Sequence, residues 1–309
     1  MTPSLTREEI KDVAHRQGFA MVGVAPAVAP TGYPRFLEWL DRGQHAGMDY
    51  LPRRASLREH PDQLLPSVRS VIMLGMVYGG SGRDASSTEP DTPKVARYAR
   101  GADYHPLFWR RIEGLLAWIQ DRAPGTKGRA LCDSAPLLER DFARLAGLGW
   151  FGKNTMLIHK RLGSFTLLGA LLIDLEIEPD PPFESDHCGT CTRCLDACPT
   201  DAFPRPGVLD ARRCLSYWTI EHRGAIPAGI AQSLNGWVFG CDICQEVCPW
   251  NRKSPAASEP ALAAREEWEN PDLSAWLTMD PAEFQARIRG TALARAKRAG
   301  LLRNAVLVL

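Results

Sequence analysis

Residues 188–199 read CGTCTRCLDACP, a C-x2-C-x2-C-x3-C-P run, and residues 241–250 read CDICQEVCPW. Together with Cys214, these two stretches contain eight of the nine cysteines in the chain. Thiolates are soft ligands, and spacings of two or three residues direct several sulfurs towards one centre, as iron–sulfur clusters require. The sequence therefore predicts two [4Fe–4S] clusters in this part of the chain.

The ligand sets follow the two-cluster bacterial arrangement, in which the cysteine before proline binds the other cluster. The first cluster is then expected to take Cys188, Cys191, Cys194 and Cys248. The second is expected to take Cys198, Cys214, Cys241 and Cys244. The long gap between Cys214 and Cys241 departs from a plain ferredoxin, whose second run is compact.

Other uses of these cysteines agree less well with the spacing. Structural zinc favours paired C-x2-C knuckles that lie far apart in sequence. Disulfides require an oxidising compartment, which the N-terminal sequence does not indicate. Radical enzymes with a C-x3-C-x2-C motif have the reverse order of the spacings found at 241–248. The ninth cysteine, Cys132, is expected to be a small buried apolar residue.

The overall composition sets wide limits on the protein. A chain of 309 residues is long enough for two or three domains. Its net charge is +1, so any basic surface must be local. The N-terminal sequence has neither an apolar signal segment nor a twin arginine, and no later run approaches eighteen apolar residues. We therefore expect a soluble protein of the cytoplasm.

The order of apolar and polar residues predicts three parts with an α+β fold. Short strands near residues 20–25, 70–78 and 163–175 alternate with helices near 6–18, 33–42 and 105–119, and 79–93 is predicted to be a loop. This pattern predicts a central sheet over residues 1–178, in an α/β or α+β domain. Residues 179–255 form the predicted cysteine domain, and residues 256–309 form a short helical region.

Two basic segments leave alternatives open. Residues 53–60 carry several cations in a predicted loop, for which a solvated surface and an anion site are about equally compatible. Residues 284–309 contain six cations and no acid: Arg287, Arg289, Arg295, Lys297, Arg298 and Arg303. They favour phosphate contacts over a merely solvated helix.

Several motifs, taken in order along the chain, resemble those of the epoxyqueuosine reductases. Besides the first cysteine run, they are YARGADYH at 98–105, DSAPLLER at 133–140, GWFGKN at 149–154, CLSYWTIE at 214–221 and GCDICQEVCPWN at 240–251. The resemblance spans nearly the whole chain. It implies reduction of the epoxide of epoxyqueuosine to queuosine at the tRNA wobble position, the final step of queuosine biosynthesis.

The resemblance also implies the fold and the cofactors. A base-off cobalamin would lie in the N-terminal domain and face one cluster of a ferredoxin-like domain, with a short HEAT-like helical region after it. The usual base-off signature D-x-H-x-x-G is incomplete, because residues 103–108 read DYHPLF. We therefore expect no histidine ligand below the cobalt.

The partners implied are tRNA, bound through its anticodon stem-loop, and an external electron donor such as ferredoxin or flavodoxin. The protein itself is expected to be a monomer. Rival hypotheses are a reductive dehalogenase-like enzyme, which is usually exported with a twin-arginine signal, and a non-catalytic electron-transfer module, which leaves residues 1–178 without a purpose.

Individual site residues follow from their positions in the matched motifs. Asp133 resembles the family's proton donor, a role that at neutral pH requires a pKa raised by burial beside the corrin. The alternative is that Asp133 only caps the following helix. The candidate cobalamin contacts are Arg58, Tyr98, Asp133, Lys153, Asn154 and Ser216. The candidate tRNA contacts are Glu221, His222, Arg295, Lys297 and Arg298.

Overall fold

The computed structural model describes residues 5–79 and 92–309. Its strands are β1 (Met21–Pro26), β2 (Ser70–Val77), β3 (Lys94–Val95), β4 (Gly128–Leu131), β5 (Trp150–Phe151), β6 (Leu157–Ile158), β7 (Thr166–Ile173) and β8 (Trp237–Phe239). Its helices are α1 (Arg7–Arg16), α2 (Tyr33–Asp41), α3 (Tyr50–Arg53), α4 (Tyr104–Arg122), α5 (Glu139–Leu145), α6 (Arg193–Asp196), α7 (Ala228–Ala231), α8 (Ile243–Glu246), α9 (Glu266–Glu269), α10 (Leu273–Thr278), α11 (Pro281–Ile288) and α12 (Lys297–Val308). In these residues no helix has both the length and the apolar character needed to cross a bilayer.

A four-stranded sheet forms the centre of the N-terminal region. Its strand order is β1-β2-β7-β4, and the three neighbouring pairs are all antiparallel. Every residue of β2 is buried because alternate side chains enter two different cores. Ile72 and Leu74 pack with α1 and α4 on one face, whereas Val71 and Met73 pack with α5 on the other. The sheet therefore lies between two layers of helices.

The elements expected from the sequence are largely present. The fold class α+β is confirmed, and within the N-terminal region the antiparallel pairing selects α+β over α/β. Thr6 and Glu9 form the predicted capping box at the start of α1. Most of the loop predicted at 79–93 lies outside the described residues, and so do the first four residues of the N-terminal segment in which no signal sequence was found.

Buried hydrogen bonds join the sheet region to the cysteine region. Asn251 accepts the backbone N–H of Ser164 at 2.7 Å, and its amide donates to the Ser164 hydroxyl at 2.9 Å. That hydroxyl in turn donates to Gln245 Oε1 at 3.0 Å. Gly163 has a φ of +73°, and a Cβ there would lie only 2.1 Å from Asn251 Oδ1. This approach is therefore open only to glycine.

The C-terminal helices pack on a second, two-stranded sheet. Strands β3 and β8 pair in parallel, and they share a core with Trp268, Trp276 and Phe284. The fully buried Asn304 of α12 donates to the backbone carbonyls of Thr219 and Val238, at 2.9 and 2.8 Å. This amide therefore ties α12 to the segment between Cys214 and Cys241.

Asn304→Ala is expected to lower the apparent melting temperature by about 4–8 °C. The change leaves two buried carbonyls without their donor, which costs about 2–4 kcal/mol. Val306→Ala is the matched control, because Val306 lies on the same helix with 60% of its surface exposed. It should change stability by less than about 0.5 kcal/mol. Equal melting temperatures for the two variants at one scan rate would contradict a stabilising role of the Asn304 hydrogen bonds.

Candidate active site

The eight cysteines of the two runs form two neighbouring groups. We call Cys188, Cys191, Cys194 and Cys248 the first thiol group, and Cys198, Cys214, Cys241 and Cys244 the second thiol group. In the first, burial and then the thiols of Cys248, Cys188 and Cys191 raise the pKa of Cys194 to about 11. In the second, burial and then Cys214 raise the pKa of Cys244, while burial and then Cys244 raise that of Cys241. The assignment of these two groups to two clusters stays a prediction.

The donor chemistry of both groups fits iron–sulfur clusters. Each group brings four thiols together, and a bound metal would displace their protons. Within residues 5–79 and 92–309, no three His, Cys, Asp or Glu side chains are arranged to hold a single metal ion. This finding does not count against the two groups, since each thiolate of a cubane binds a different iron and the sulfurs surround a whole cluster.

Two cavities that share part of their lining lie between the sheet region and the cysteine region. The smaller, of about 390 Å³, is lined by all four cysteines of the second thiol group. The larger, of about 1310 Å³, opens beside it. Tyr98, Asp133, Cys214 and Ser216 line both cavities. A ligand at this junction would therefore contact the second thiol group and Asp133 together.

Asp133 lies in a strained turn just after β4. Its φ is +51°, in the left-handed region that non-glycine residues seldom adopt. Glu139 holds this turn by accepting the backbone N–H of Asp133 at 2.8 Å. Leu138, rather than Asp133, occupies the position before α5 and makes no side-chain cap. The helix-cap alternative for Asp133 is therefore wrong, and the carboxylate, 65% exposed, faces the cavity.

The Asp133 carboxylate is held by two residues from the start of α4. The Tyr104 hydroxyl donates to its Oδ2 at 3.0 Å, and His105 Nε2 lies 3.5 Å from the same oxygen. His105 Nδ1 is 2.7 Å from Asp103 Oδ1. The contact with His105 is the main cause that lowers the pKa of Asp133. The protein groups alone therefore lower the pKa of Asp133. A proton donor at neutral pH was expected to need a raised pKa.

Two neighbouring groups carry protons at neutral pH. Burial opposes the charge on His105, but its hydrogen bonds to Asp103 and Asp133 outweigh that cost and raise the pKa of His105 to about 9. Burial, followed by the charge of Asp133, raises the pKa of Glu139 to about 8. The proton that the sequence argument assigned to Asp133 therefore lies on its neighbours.

The candidate cobalamin contacts are divided between the cavities. Arg58 lines the larger cavity, Tyr98 and Ser216 line both, and Asn154 lines the smaller. The buried Asn154 also donates its amide to the carbonyl of Cys244 at 3.2 Å. Lys153 lines neither cavity, because its ammonium donates to the carbonyls of Gly189 and Cys191 at 2.7 and 2.9 Å. These bonds make Lys153 a support of the first cysteine loop, and its expected cobalamin contact stays a prediction.

The candidate tRNA contacts are also placed differently from one another. Glu221 and Arg295 line the larger cavity and form a bidentate ion pair, with distances of 2.9 and 2.7 Å. The His222 side chain is engaged in an intramolecular hydrogen bond, because its Nε2 lies 2.9 Å from the carbonyl oxygen of Ala225. Lys297 and Arg298 lie outside the cavity lining. The cavity therefore brings together only the first two of these residues.

The C-terminal cations are less available than their sequence suggests. Arg287 pairs with Glu267 at 2.8 Å, and Arg295 pairs with Glu221. Arg303 donates to the carbonyls of Trp218, His222 and Gly224. The expectation of six unopposed cations is wrong, because acids and carbonyls from earlier parts of the chain meet three of them.

Four residues that shape the site are not among those predicted from the sequence. His105 and Tyr104 lie within a matched motif, in which the histidine was expected only not to bind cobalt. Glu139 is the last but one residue of the motif that begins with Asp133. Tyr50 lines the larger cavity, and the Arg295 guanidinium lies 5.5 Å from its ring centre. The Asp-x-His spacing before an amphipathic helix was the one signal that could have indicated the histidine.

Two family models match parts of the chain. The model described as "Epoxyqueuosine reductase QueG, DUF1730" matches residues 58–134, and the model for a 4Fe-4S double cluster binding domain matches residues 187–251. These ranges contain Asp133 and all eight cluster cysteines, together with several of the residues that line the two cavities.

Solved structures show the same fold. An epoxyqueuosine reductase crystal structure has a TM-score of 0.90 at 28% identity, covering 98% of this chain and 80% of the other. A second, in complex with an epoxyqueuosine-modified tRNA-Tyr stem loop, has a TM-score of 0.87 at 27% identity over the same shares of the two chains. A B12-dependent reductive dehalogenase, at 14% identity and a TM-score of 0.51, shares the fold over 98% of this chain and 38% of its own.

Sequence relatives agree with the structures. The epoxyqueuosine reductase of Pseudomonas aeruginosa is 40% identical over 98% of this chain and 84% of its own length. That of Cyclobacterium marinum is 39% identical over 96% of this chain and 94% of its own. With such identity over nearly its full length, the chain belongs to the epoxyqueuosine reductase family.

Proposed function

We propose that this protein reduces the epoxide of epoxyqueuosine in tRNA to the alkene of queuosine. In this proposal cobalamin occupies the larger cavity, and two [4Fe–4S] clusters held by the first and second thiol groups supply the electrons. One observation carries the proposal: Asp133 and all four cysteines of the second thiol group line the same cavity. An electron source and a proton-handling carboxylate therefore meet where a substrate can enter.

The size and lining of the larger cavity are compatible with cobalamin. Its volume of about 1310 Å³ exceeds the roughly 300–1,000 Å³ typical of sites for drug-sized ligands. Tyr98 and Ser216 offer an aromatic face and a hydroxyl at the junction with the second thiol group. When bound, cobalamin supplies a low-valent metal that connects one-electron clusters to a two-electron reduction of carbon.

The protein's own residues handle the protons. Reduction of an epoxide to an alkene and water consumes two electrons and two protons, and negative charge develops on the oxygen as each C–O bond breaks. An acid placed at that oxygen accelerates such a step by about 10²- to 10⁴-fold. Asp133 is the candidate for this contact, because its exposed carboxylate faces the cavity while Tyr104 and His105 hold its Oδ2.

The rim of the larger cavity supports binding of a nucleic acid. Arg35, Arg54, Arg58 and Arg205 line it together with Arg42, which pairs with Glu38 at 2.6 Å, and Arg295, which pairs with Glu221. Guanidinium groups suit phosphate oxygens because they present several donors in a planar fork. A related enzyme is known in complex with a modified tRNA stem loop, which favours the same class of substrate here.

The remaining partners follow from the exposure of the first thiol group. Its loop, residues 184–193, consists largely of exposed residues, so electrons from a soluble donor can enter there. A ferredoxin or flavodoxin fits this role, in a monomeric enzyme of the cytoplasm.

The direct test is anaerobic purification, a spectrum after cobalamin addition, and incubation with a reductant and tRNA that carries epoxyqueuosine. We expect iron–sulfur and corrin absorbance and conversion to queuosine. A protein that binds cobalamin and both clusters but leaves this tRNA unchanged would contradict the proposed substrate. A protein without corrin absorbance would favour an electron-transfer module.

Cys244→Ala is expected to reduce the iron content from about eight to about four per chain. The change removes one ligand of the second cluster while the first thiol group stays complete. Cys132→Ala is the control, because the buried Cys132 thiol donates to the carbonyl of Leu168 and belongs to neither group. An unchanged iron content in Cys244→Ala would contradict the ligand set.

Asp133→Asn is expected to retain both clusters and cobalamin but to lose turnover by about 10²- to 10⁴-fold. The amide can occupy the same place, whereas it cannot pass a proton to the departing oxygen. Single-turnover conversion of the modified tRNA measures the loss. Activity within about twofold of the wild type would remove Asp133 from the reaction.

Arg295→Gln is expected to weaken tRNA binding and to reduce the slope of log affinity against log salt concentration by about one. The change removes a cation from the rim and leaves the Glu221 carboxylate unpaired, which repels phosphate. Arg122→Gln is the control, since Arg122 lies over the Trp118 ring outside the cavity lining. The measurement is tRNA affinity over a range of salt concentrations. Identical slopes of log affinity against log salt concentration for both variants would rule out a phosphate contact by Arg295.

A further inference from the structure

His105 lies between two carboxylates at the edge of the larger cavity. Its Nδ1 is 2.7 Å from Asp103 Oδ1, and its Nε2 is 3.5 Å from Asp133 Oδ2. The Tyr104 ring stacks on the imidazole with centroids 4.2 Å apart. The second distance is longer than an ideal hydrogen bond, as is common for catalytic contacts before the substrate binds.

The position of His105 would not favour a cation without these partners. It lies in the first turn of the 19-residue helix α4, where the helix dipole disfavours positive charge. Asp103 caps the same helix by accepting the backbone N–H of His105 at 3.0 Å. The two carboxylates outweigh both the dipole and the burial, and the pKa of His105 is raised to about 9. The ring therefore carries two protons at neutral pH.

We propose that His105 is the proton store that resupplies Asp133 during turnover. This inference rests on the proposed function and adds a positioning residue to it. The Nε2 proton of His105 moves to Asp133, and Asp133 passes it to the oxygen as a C–O bond of the epoxide breaks. His105 is then neutral, keeps its Nδ1 proton towards Asp103, and is reprotonated by water in the cavity.

Such a store can meet the proton demand of the reaction. Each turnover consumes two protons and two electrons, the electrons coming through the clusters from a soluble one-electron donor. A carboxylate whose pKa is lowered holds no proton at neutral pH. The His105–Asp133 pair holds one transferable proton, so the pair is loaded twice in each turnover.

Other ionisable groups face this pair and share its electrostatics. Glu139 approaches from α5, and burial keeps it protonated up to about pH 8. Arg140 lowers the pKa of Asp133. Tyr104, Tyr98 and Tyr50 are phenols whose pKa values burial raises, with Asp133 adding to the shift. These three tyrosines stay neutral at neutral pH. His105 is therefore the cation that titrates beside Asp133.

A first experiment needs neither substrate nor cobalamin. The apparent melting temperatures of the cluster-loaded wild type and of His105→Gln are compared between pH 6 and pH 10. A raised folded-state pKa contributes stability fully below the ordinary value of 6.5 and loses it as the pH rises through about 9. The variant should therefore melt lower at pH 6, and the difference should shrink towards pH 10. A difference independent of pH would assign His105 a merely structural role and overturn the proposal.

A second experiment measures turnover of the modified tRNA against pH. In His105→Gln the alkaline limb of kcat should move at least one pH unit towards acid, so that the loss at pH 8.5 exceeds the loss at pH 6 by about tenfold. Asp103→Asn keeps the helix cap and the imidazole of His105 but removes one of its two carboxylate partners. The alkaline limb of kcat in this variant should also move towards acid, by a smaller amount. His15→Gln, on α1 and outside the cavity lining, is the control.

The outcomes separate the two proposals. An equal loss at all pH values in His105→Gln, or an unmoved limb in both site variants, would overturn the proton store. Absence of wild-type turnover on the modified tRNA would overturn the proposed function, while the melting comparison would still report on the charge of His105.

Discussion

The buried hydrogen bonds among Ser164, Gln245 and Asn251 set the position of the cysteine region against the sheet. These three side chains have little access to water, so breaking one bond leaves a buried polar group without a partner. Ser164 is two residues before β7, and Gln245 is next to Cys244. The network therefore fixes the second thiol group to the sheet that also carries Asp133. The cavity between them depends on that distance.

The second constraint is the strained turn at Asp133. A φ of +51° costs free energy, and the bond from its backbone N–H to Glu139 helps to offset that cost. The turn directs the carboxylate into the cavity and towards His105.

The sequence predicted what depends on local spacing. The two cysteine runs, the capping box of α1 and the apolar strands β2 and β7 follow from patterns within a few residues. The strand order and the shared cavity could not be predicted this way, because they depend on contacts between residues far apart in sequence. Lys153 is an example. It lies in a matched motif, but the direction of its side chain is set by the carbonyls of Gly189 and Cys191, which are distant in sequence. Charge patterns failed for the same reason, since Arg287 and Arg295 meet acids from other segments.

The long gap between Cys214 and Cys241 has a structural explanation. Its residues 217–221 form a wide helical turn that carries Ile220 and Glu221 to the cavity wall. That turn is held from behind by α12, through Asn304 and Arg303, which donate to the carbonyls of Thr219, Trp218 and His222. A compact ferredoxin run could supply the four thiols but no wall. The extra residues thus enclose the second thiol group on the side that faces the substrate, and the C-terminal helices are needed to keep that wall in place. Arg295, in the short turn just before α12, also lines this cavity and pairs with Glu221 of the same wall, so one packing interface determines both the closure of the cavity and the position of that ion pair.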